Sequence, residues 1–232
     1  MIGSPTGCRP PRHGTSGVPS RWFNSWLRWA RPEVRGSTRA PGPGTTRSTT
    51  PPRDMRPPGI DGSVAAIERA RDNARKAGVS VNFQVGDATT LDGLDGRFDT
   101  VVDCAFYHTF STAPELQRCY VRALRRASKP GARLYMFEFG EHNVNGFSMP
   151  RSLSEDDFRQ VLPVGGWEIT YLGTTTYQVN LSVEALELMA ARNPDMADQV
   201  RCVLERFRAI KPWLVGGRVH APFWEVHATR VD

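Results

Sequence analysis

The sequence predicts an α/β domain over residues 59–232, with a mostly parallel sheet and an antiparallel last strand. Three observations predict it. Strand-like and helix-like stretches alternate at short spacing from Gly59 to Phe139, as in parallel strands joined by right-handed helical crossovers. Acidic residues, Asp61 and Asp87, follow the ends of two of those strands, where open α/β sheets present groups to a ligand. Finally, Phe223 to Val231 alternates as a strand with no crossover helix directly before it, which suits antiparallel pairing.

The elements follow in order. Gly59-Ile60-Asp61 reads as a strand end, and Ser63 as the N-cap of a helix. Val64, Ile67, Ala70, Ala74 and Ala77 repeat at helical spacing until Gly78 stops it. Val79 to Val85 alternates with period two, and Gly86-Asp87-Ala88 lies at its end. Phe98 to Cys104 is a buried strand interrupted by Asp99 and Asp103. Pro114 opens a helix with Leu116, Tyr120, Val121 and Leu124 inward, and Lys129-Pro130-Gly131 turns into a strand from Leu134 to Phe139. Beyond it, Ser154 begins a short helix containing Phe158 and Val161. Trp167 to Tyr171 and Thr174 to Val179 read as extended, separated by Gly173. A helical insertion of about residues 182–211, interrupted at Pro194, then forms a natural substrate cover.

Residues 1–58 have another character. They hold ten arginines and no lysine against Glu33 and Asp54, a charge of +8, so the chain's net +6 belongs to this segment. The remainder is slightly acidic. Eleven of the 18 prolines fall here. A disordered segment is one expectation, since so little apolar surface cannot offset the entropy of ordering. A basic nucleic-acid arm and a transit peptide are others, although the domain itself has no charge excess suited to nucleic acid. No apolar run is long enough to span a bilayer.

Four motifs stand together in order: Gly59-Ile60-Asp61-Gly62-Ser63, Gly86-Asp87-Ala88, Phe98-Asp99-Thr100-Val101-Val102-Asp103, and Lys129-Pro130-Gly131-Ala132. In these, residues 59–232 resemble a Rossmann-like class I S-adenosylmethionine-dependent methyltransferase of the bacterial small-molecule type. The resemblance implies S-adenosylmethionine as cofactor and a small-molecule methyl acceptor. It implies that Asp61 binds the ribose hydroxyls, with Gly62 and Ser63 in the same turn. Asp87 would accept from the adenine amino group, beside the Ala88 backbone. Asp103, Cys104 and Ala105 would line the methionine portion and the sulfur.

One part of that family's pattern is missing. The glycine loop that cradles the methionine moiety belongs upstream of Asp61, together with the first strand and helix. Regrouping each third codon base with the next two bases permits Asp-Ala-Gly-Pro-Gly-Thr-Gly-Asp-His across Ser37 to Thr46. The expectation is that residues 9–58 are an out-of-frame reading of that strand, loop and helix, that residues 1–58 add nothing to the sheet, and that the chain binds S-adenosylmethionine poorly.

Outside the cofactor motifs, His108 in Phe106-Tyr107-His108-Thr109-Phe110 is the weak catalytic candidate, with a packing histidine as the alternative. Glu138, Glu141 and His142 follow the fifth strand and read as a solvated loop more readily than as a base or metal site. No metal site is expected. Cys8, Cys104, Cys119 and Cys202 lack CxxC spacing and read as reduced thiols of a cytoplasmic protein. Trp167, Trp213, Trp224, Phe223 and Tyr177 read as core or as an apolar pocket. A nucleotide-dependent oxidoreductase and a non-catalytic remnant are the competing classes. None of the five tyrosines precedes a lysine by four positions, so the short-chain dehydrogenase signature is absent.

Overall fold

The computed structural model describes residues 26–30, 58–144, 146–147, 149, 151–214 and 218–232. Seven strands form one sheet: β1 (Trp26–Ala30), β2 (Pro58–Asp61), β3 (Asn82–Val85), β4 (Phe98–Cys104), β5 (Ser128–Phe139), β6 (Trp167–Asn180) and β7 (Arg218–Arg230). Their order is β3-β2-β1-β4-β5-β7-β6. The pairs β2–β3 and β4–β5 are parallel, and β7 is antiparallel to both β5 and β6. With β1 antiparallel to β2 and β4, five strands share one direction and β1 and β7 oppose them. The Rossmann-like α/β expectation, with its antiparallel last strand, is met.

Helix α1 (Val64–Lys76) starts where Ser63 Oγ accepts from Ala66 N at 3.3 Å, and buries Ile67 and Ala70. Gly78, at φ +66°, takes the left-handed conformation that ends it. Helix α2 (Pro114–Ala127) has proline in its first turn. Its Tyr120, Val121 and Leu124 are fully buried in one cluster with Val101 of β4 and Leu134 and Met136 of β5. A four-residue helix, α3 (Asp156–Arg159), buries Phe158 against the same cluster. Helices α4 (Val183–Arg192) and α5 (Ala197–Ile210) lie between β6 and β7 in sequence. They build a second cluster, in which Val200, Val203 and Phe207 pack with Phe139, Val219 and Phe223. Trp167, Trp224 and Phe223 are core, whereas Trp213 is 86% exposed, so the aromatic set does not converge on a pocket.

The structure corrects several boundaries. β3 starts at Asn82 and not Val79. β6 is one strand through Gly173, with a bulge between Ile169 and Tyr171. The Lys129-Pro130-Gly131 turn lies inside β5, where the register jumps from Phe98↔Ser128 to Thr100↔Arg133. Gly59 has a packing role: a Cβ there would meet the Phe83 ring at 2.7 Å.

The larger correction is β1. The expectation that residues 1–58 add nothing to the sheet fails, because Trp26–Ala30 occupies the slot between β2 and β4. Empty, that slot would leave two facing rows of backbone N–H and C=O groups unpaired in mid-sheet. Trp26-Leu27-Arg28-Trp29-Ala30 is a proline-free run with four apolar residues in a proline-rich segment, and so can serve as a strand. The regrouped glycine loop, Ser37 to Thr46, lies outside the described residues. The reduced-thiol expectation also fails at Cys119, which is disulfide-bonded; Cys104 and Cys202 form no disulfide.

Candidate functional site

The carboxyl ends of the parallel strands form one edge, and the candidate residues gather there. Asp61 ends β2 opposite Val85 of β3, and Gly86 N donates to Asp61 O at 3.2 Å. Asp61 and Asp87 therefore leave neighbouring strand ends. The Asp61 side chain is held in a tight turn, its Oδ1 accepting from Ser63 N at 2.8 Å. The residue is 6% exposed, and burial raises its carboxyl above the ordinary range. Oδ2 has no hydrogen-bond partner among the described residues. Gly62 is exposed and Ser63 half-buried beside it. Asp87 is exposed, its Oδ1 accepting from Thr89 N at 2.8 Å and Thr89 Oγ1 at 2.7 Å, while Ala88 turns inward at 7% exposure.

At the end of β4 the chain changes direction at Ala105, which is buried at φ +56°, a strained conformation for a residue with a side chain. Ala105 N remains tied to Phe137 O at 2.8 Å. Cys104 is half-buried. A 3-10 turn, Tyr107–Phe110, follows directly and packs on Tyr120 of α2, with the Phe110 and Tyr120 rings 5.6 Å apart.

Asp103 departs from its expected role. Its side chain is fully buried and faces α2, accepting from Tyr120 OH at 2.8 Å and from Phe106 N at 3.2 Å. It hydrogen-bonds Glu138 as well. Period-two alternation places it on the same inward face as Val101, so the carboxyl belongs to the core and not to the groove.

Glu138 is a residue that the sequence reading misplaced. It is not in a solvated loop but on β5, fully buried. Its Oε1 accepts from Phe106 N at 3.0 Å and Tyr107 N at 3.1 Å. Its Oε2 accepts from His108 N at 3.1 Å and lies 2.9 Å from His108 Nδ1. The signal was present: Ala132, Leu134 and Met136 are all buried, and Glu138 is the next residue on that face. Burial pushes both carboxyls of the Asp103–Glu138 pair up, and Asp103 rises further because Glu138's charge adds to its desolvation. Three backbone amides favour Glu138's charged form and oppose that rise. Burial lowers His108 to about 4, which leaves the ring neutral at neutral pH. His142 joins none of this; it packs on Trp224 at 5.4 Å. Among the described residues no His, Cys, Asp and Glu side chains cluster as metal ligands.

The antiparallel sense of β1 bears on the site. Trp26 stands opposite Cys104 and Leu27 opposite Ile60, whereas Ala30 stands opposite Thr100. The carboxyl end of β1 thus points to the sheet edge away from Asp61. A glycine loop following that strand has no starting point beside Asp61 among the described residues. Among the described residues, this edge offers carboxylates at two strand ends and no glycine-loop backbone beside them.

A methyltransferase-domain family matches residues 54–163. A 2-heptyl-1-hydroxyquinolin-4(1H)-one methyltransferase of Mycobacteroides abscessus is 30% identical over 109 residues, 45% of this chain and 46% of that protein. An uncharacterized methyltransferase of Schizosaccharomyces pombe is 28% identical over 89 residues, 38% of this chain and 60% of that one. The chain thus spans less than two thirds of these curated relatives. Among solved structures, a protein studied for the conversion of a disulfide bond into a thioacetal group in echinomycin biosynthesis superposes with a TM-score of 0.54. It is 22% identical, covering 75% of this chain and 66% of that one. A SAM-dependent methyltransferase of Methanosarcina mazei gives 0.50 at 18% identity, covering 75% and 81%. These two show the fold alone. Over residues 54–163 the chain is similar to a methyltransferase domain, on a fold it shares with S-adenosylmethionine-dependent methyltransferases, and that likeness implies S-adenosylmethionine as cofactor.

Proposed function

We propose that the chain binds S-adenosylmethionine at the carboxyl edge of its sheet and transfers the methyl group to a small-molecule acceptor. The observation that carries this reading is Asp61, a nearly buried carboxylate at a strand end with one oxygen bonded to Ser63 N and the other open. A buried charge with an open acceptor is costly unless a donor meets it, and the two hydroxyls of a ribose are such donors. In the same proposal Gly62 and Ser63 shape the ribose turn, Asp87 and Ala88 take the adenine edge, and Cys104 and Ala105 flank the methionine portion. The cofactor supplies an already activated methyl group; the protein's task is to align the acceptor and exclude water. The α4–α5 pair covers the acceptor. The hydroxyquinolone named for the Mycobacteroides relative is the acceptor class to try first.

One observation favours a second reading, a methyltransferase fold that no longer turns over: β1 runs opposite to the direction that would deliver a methionine cradle. Calorimetry on point variants tests the cofactor assignment. Asp61→Ala is expected to weaken S-adenosylmethionine binding by about tenfold to a hundredfold, the loss of a charge-assisted contact of roughly 1.5–3 kcal/mol. Asp99→Ala is the control, because Asp99 pairs with Lys129 at 3.0 Å, near the start of β4 and away from the edge. Equal losses in both variants would remove Asp61 from the ribose.

A further inference from the structure

Three consecutive amides, of Phe106, Tyr107 and His108, donate to one carboxylate, that of Glu138, and the same carboxylate meets a ring nitrogen. This carboxylate shapes the turn that carries His108. A carboxylate is acceptor-only, so the His108 nitrogen facing it must carry the ring proton. Nδ1 is that nitrogen. Nε2 then keeps its lone pair, and among the described residues nothing hydrogen-bonds it. The ring stands edge-on to Phe139, with centroids 4.8 Å apart.

We infer that Glu138 is a positioning residue that holds His108 as the Nδ1–H tautomer with Nε2 as a base, so that the site is built for an acceptor whose nucleophilic atom carries a proton. This rests on the methyl-transfer reading above for the identity of the reaction, though not for the state of the ring. Asp103 of β4, tied to Tyr120 of α2 at 2.8 Å, backs Glu138 from behind. Tyr107 presents its hydroxyl elsewhere, to Asp157 O at 2.9 Å. Arg151, whose guanidinium donates to Thr109 O at 3.4 Å, opposes a positive charge on His108. Glu138 is therefore the group that offsets an imidazolium when one forms.

The step balances as follows. A hydroxyl, thiol or N–H atom of the acceptor attacks the methyl carbon, the carbon–sulfur bond breaks, and its electron pair stays on sulfur. The acceptor's proton passes to His108 Nε2, and the Nδ1–H bond to Glu138 stabilises the cation so formed.

Long-range proton–nitrogen spectra of the full chain, labelled with 15N-histidine, test this without any ligand. His108→Asn assigns the signal by its disappearance. The unsubstituted chain is expected to show His108 as the Nδ1–H tautomer, and Glu138→Gln to shift it to Nε2–H, since a carboxamide can donate to Nδ1. An Nε2–H ring in the unsubstituted chain, or no change in Glu138→Gln, would overturn the inference. Should that variant not fold, the unsubstituted spectrum still decides. With S-adenosylmethionine and 2-heptyl-1-hydroxyquinolin-4(1H)-one as probes, His108→Asn is expected to lower transfer by about 10²–10⁴-fold, and an unchanged rate removes the base assignment. No transfer by the unsubstituted chain counts against the methyl-transfer reading and leaves the tautomer result to stand on its own.

Discussion

A chain that begins at Pro58 is expected to lose cooperative unfolding. Without Trp26–Ala30, no strand joins β2 and β3 to the block β4-β5-β7-β6, because β1 alone pairs with both β2 and β4. Each backbone hydrogen bond contributes about 1 kcal/mol net, and an unpaired buried partner costs more. Losing both ladders at once removes an amount comparable with the whole stability of a domain, about 5–15 kcal/mol. A thermal melt followed by circular dichroism is expected to show a broad transition, or none. A sharp transition within a few degrees of the full chain would mean that β1 adds nothing. This reverses what composition suggests, since ten arginines and eleven prolines argue for a segment outside the fold.

The second large effect concerns the reading frame. We propose that the regrouped codons across residues 9–58 encode the glycine loop of this family, and that Trp26–Ala30 fills a slot meant for a parallel first strand. A protein carrying that frame is expected to gain stability with added S-adenosylmethionine, while the present chain shifts little. At a concentration a hundred times the dissociation constant, binding contributes about 2.7 kcal/mol. In a domain of this size that corresponds to a rise of about 5–10 °C. Pro41 and Pro43 stand where the loop's glycines would; proline has no amide to donate and fixes its own φ. Melts of both proteins with and without ligand check the comparison. Similar shifts in the two would show that the present chain already has a complete cofactor site.

What was legible in the sequence was what local patterning determines. Phe98–Cys104 reads as a strand to the residue because apolar positions flank its two acids, and α2 begins at Pro114 because proline fits a first helical turn. Ser63 announces the start of α1 by capping it. Asp61 and Asp87 stand at strand ends, where hydrophobic runs stop. β1 was not legible, since its place depends on a vacant slot between two strands distant in sequence. The Asp103–Glu138–His108 network was hidden for a related reason. An acid at the end of a strand looks solvated until the alternation of Ala132, Leu134 and Met136 is carried one step further to Glu138. Nothing local shows that the three amides it binds lie about thirty residues upstream.

The central proposal, a methyltransferase-like sheet edge that takes adenosine at Asp61 and Asp87 and offers the methionine end no cradle among the described residues, is tested most directly by one calorimetric comparison. The full chain is titrated with S-adenosylmethionine and, separately, with 5′-methylthioadenosine, which keeps the adenosine and lacks the amino acid. The account predicts that both bind weakly and with affinities within about threefold of each other, a difference under about 1 kcal/mol, because the methionine tail finds no backbone donors. S-adenosylmethionine binding a hundredfold more tightly than the truncated ligand, or neither ligand binding, would contradict it.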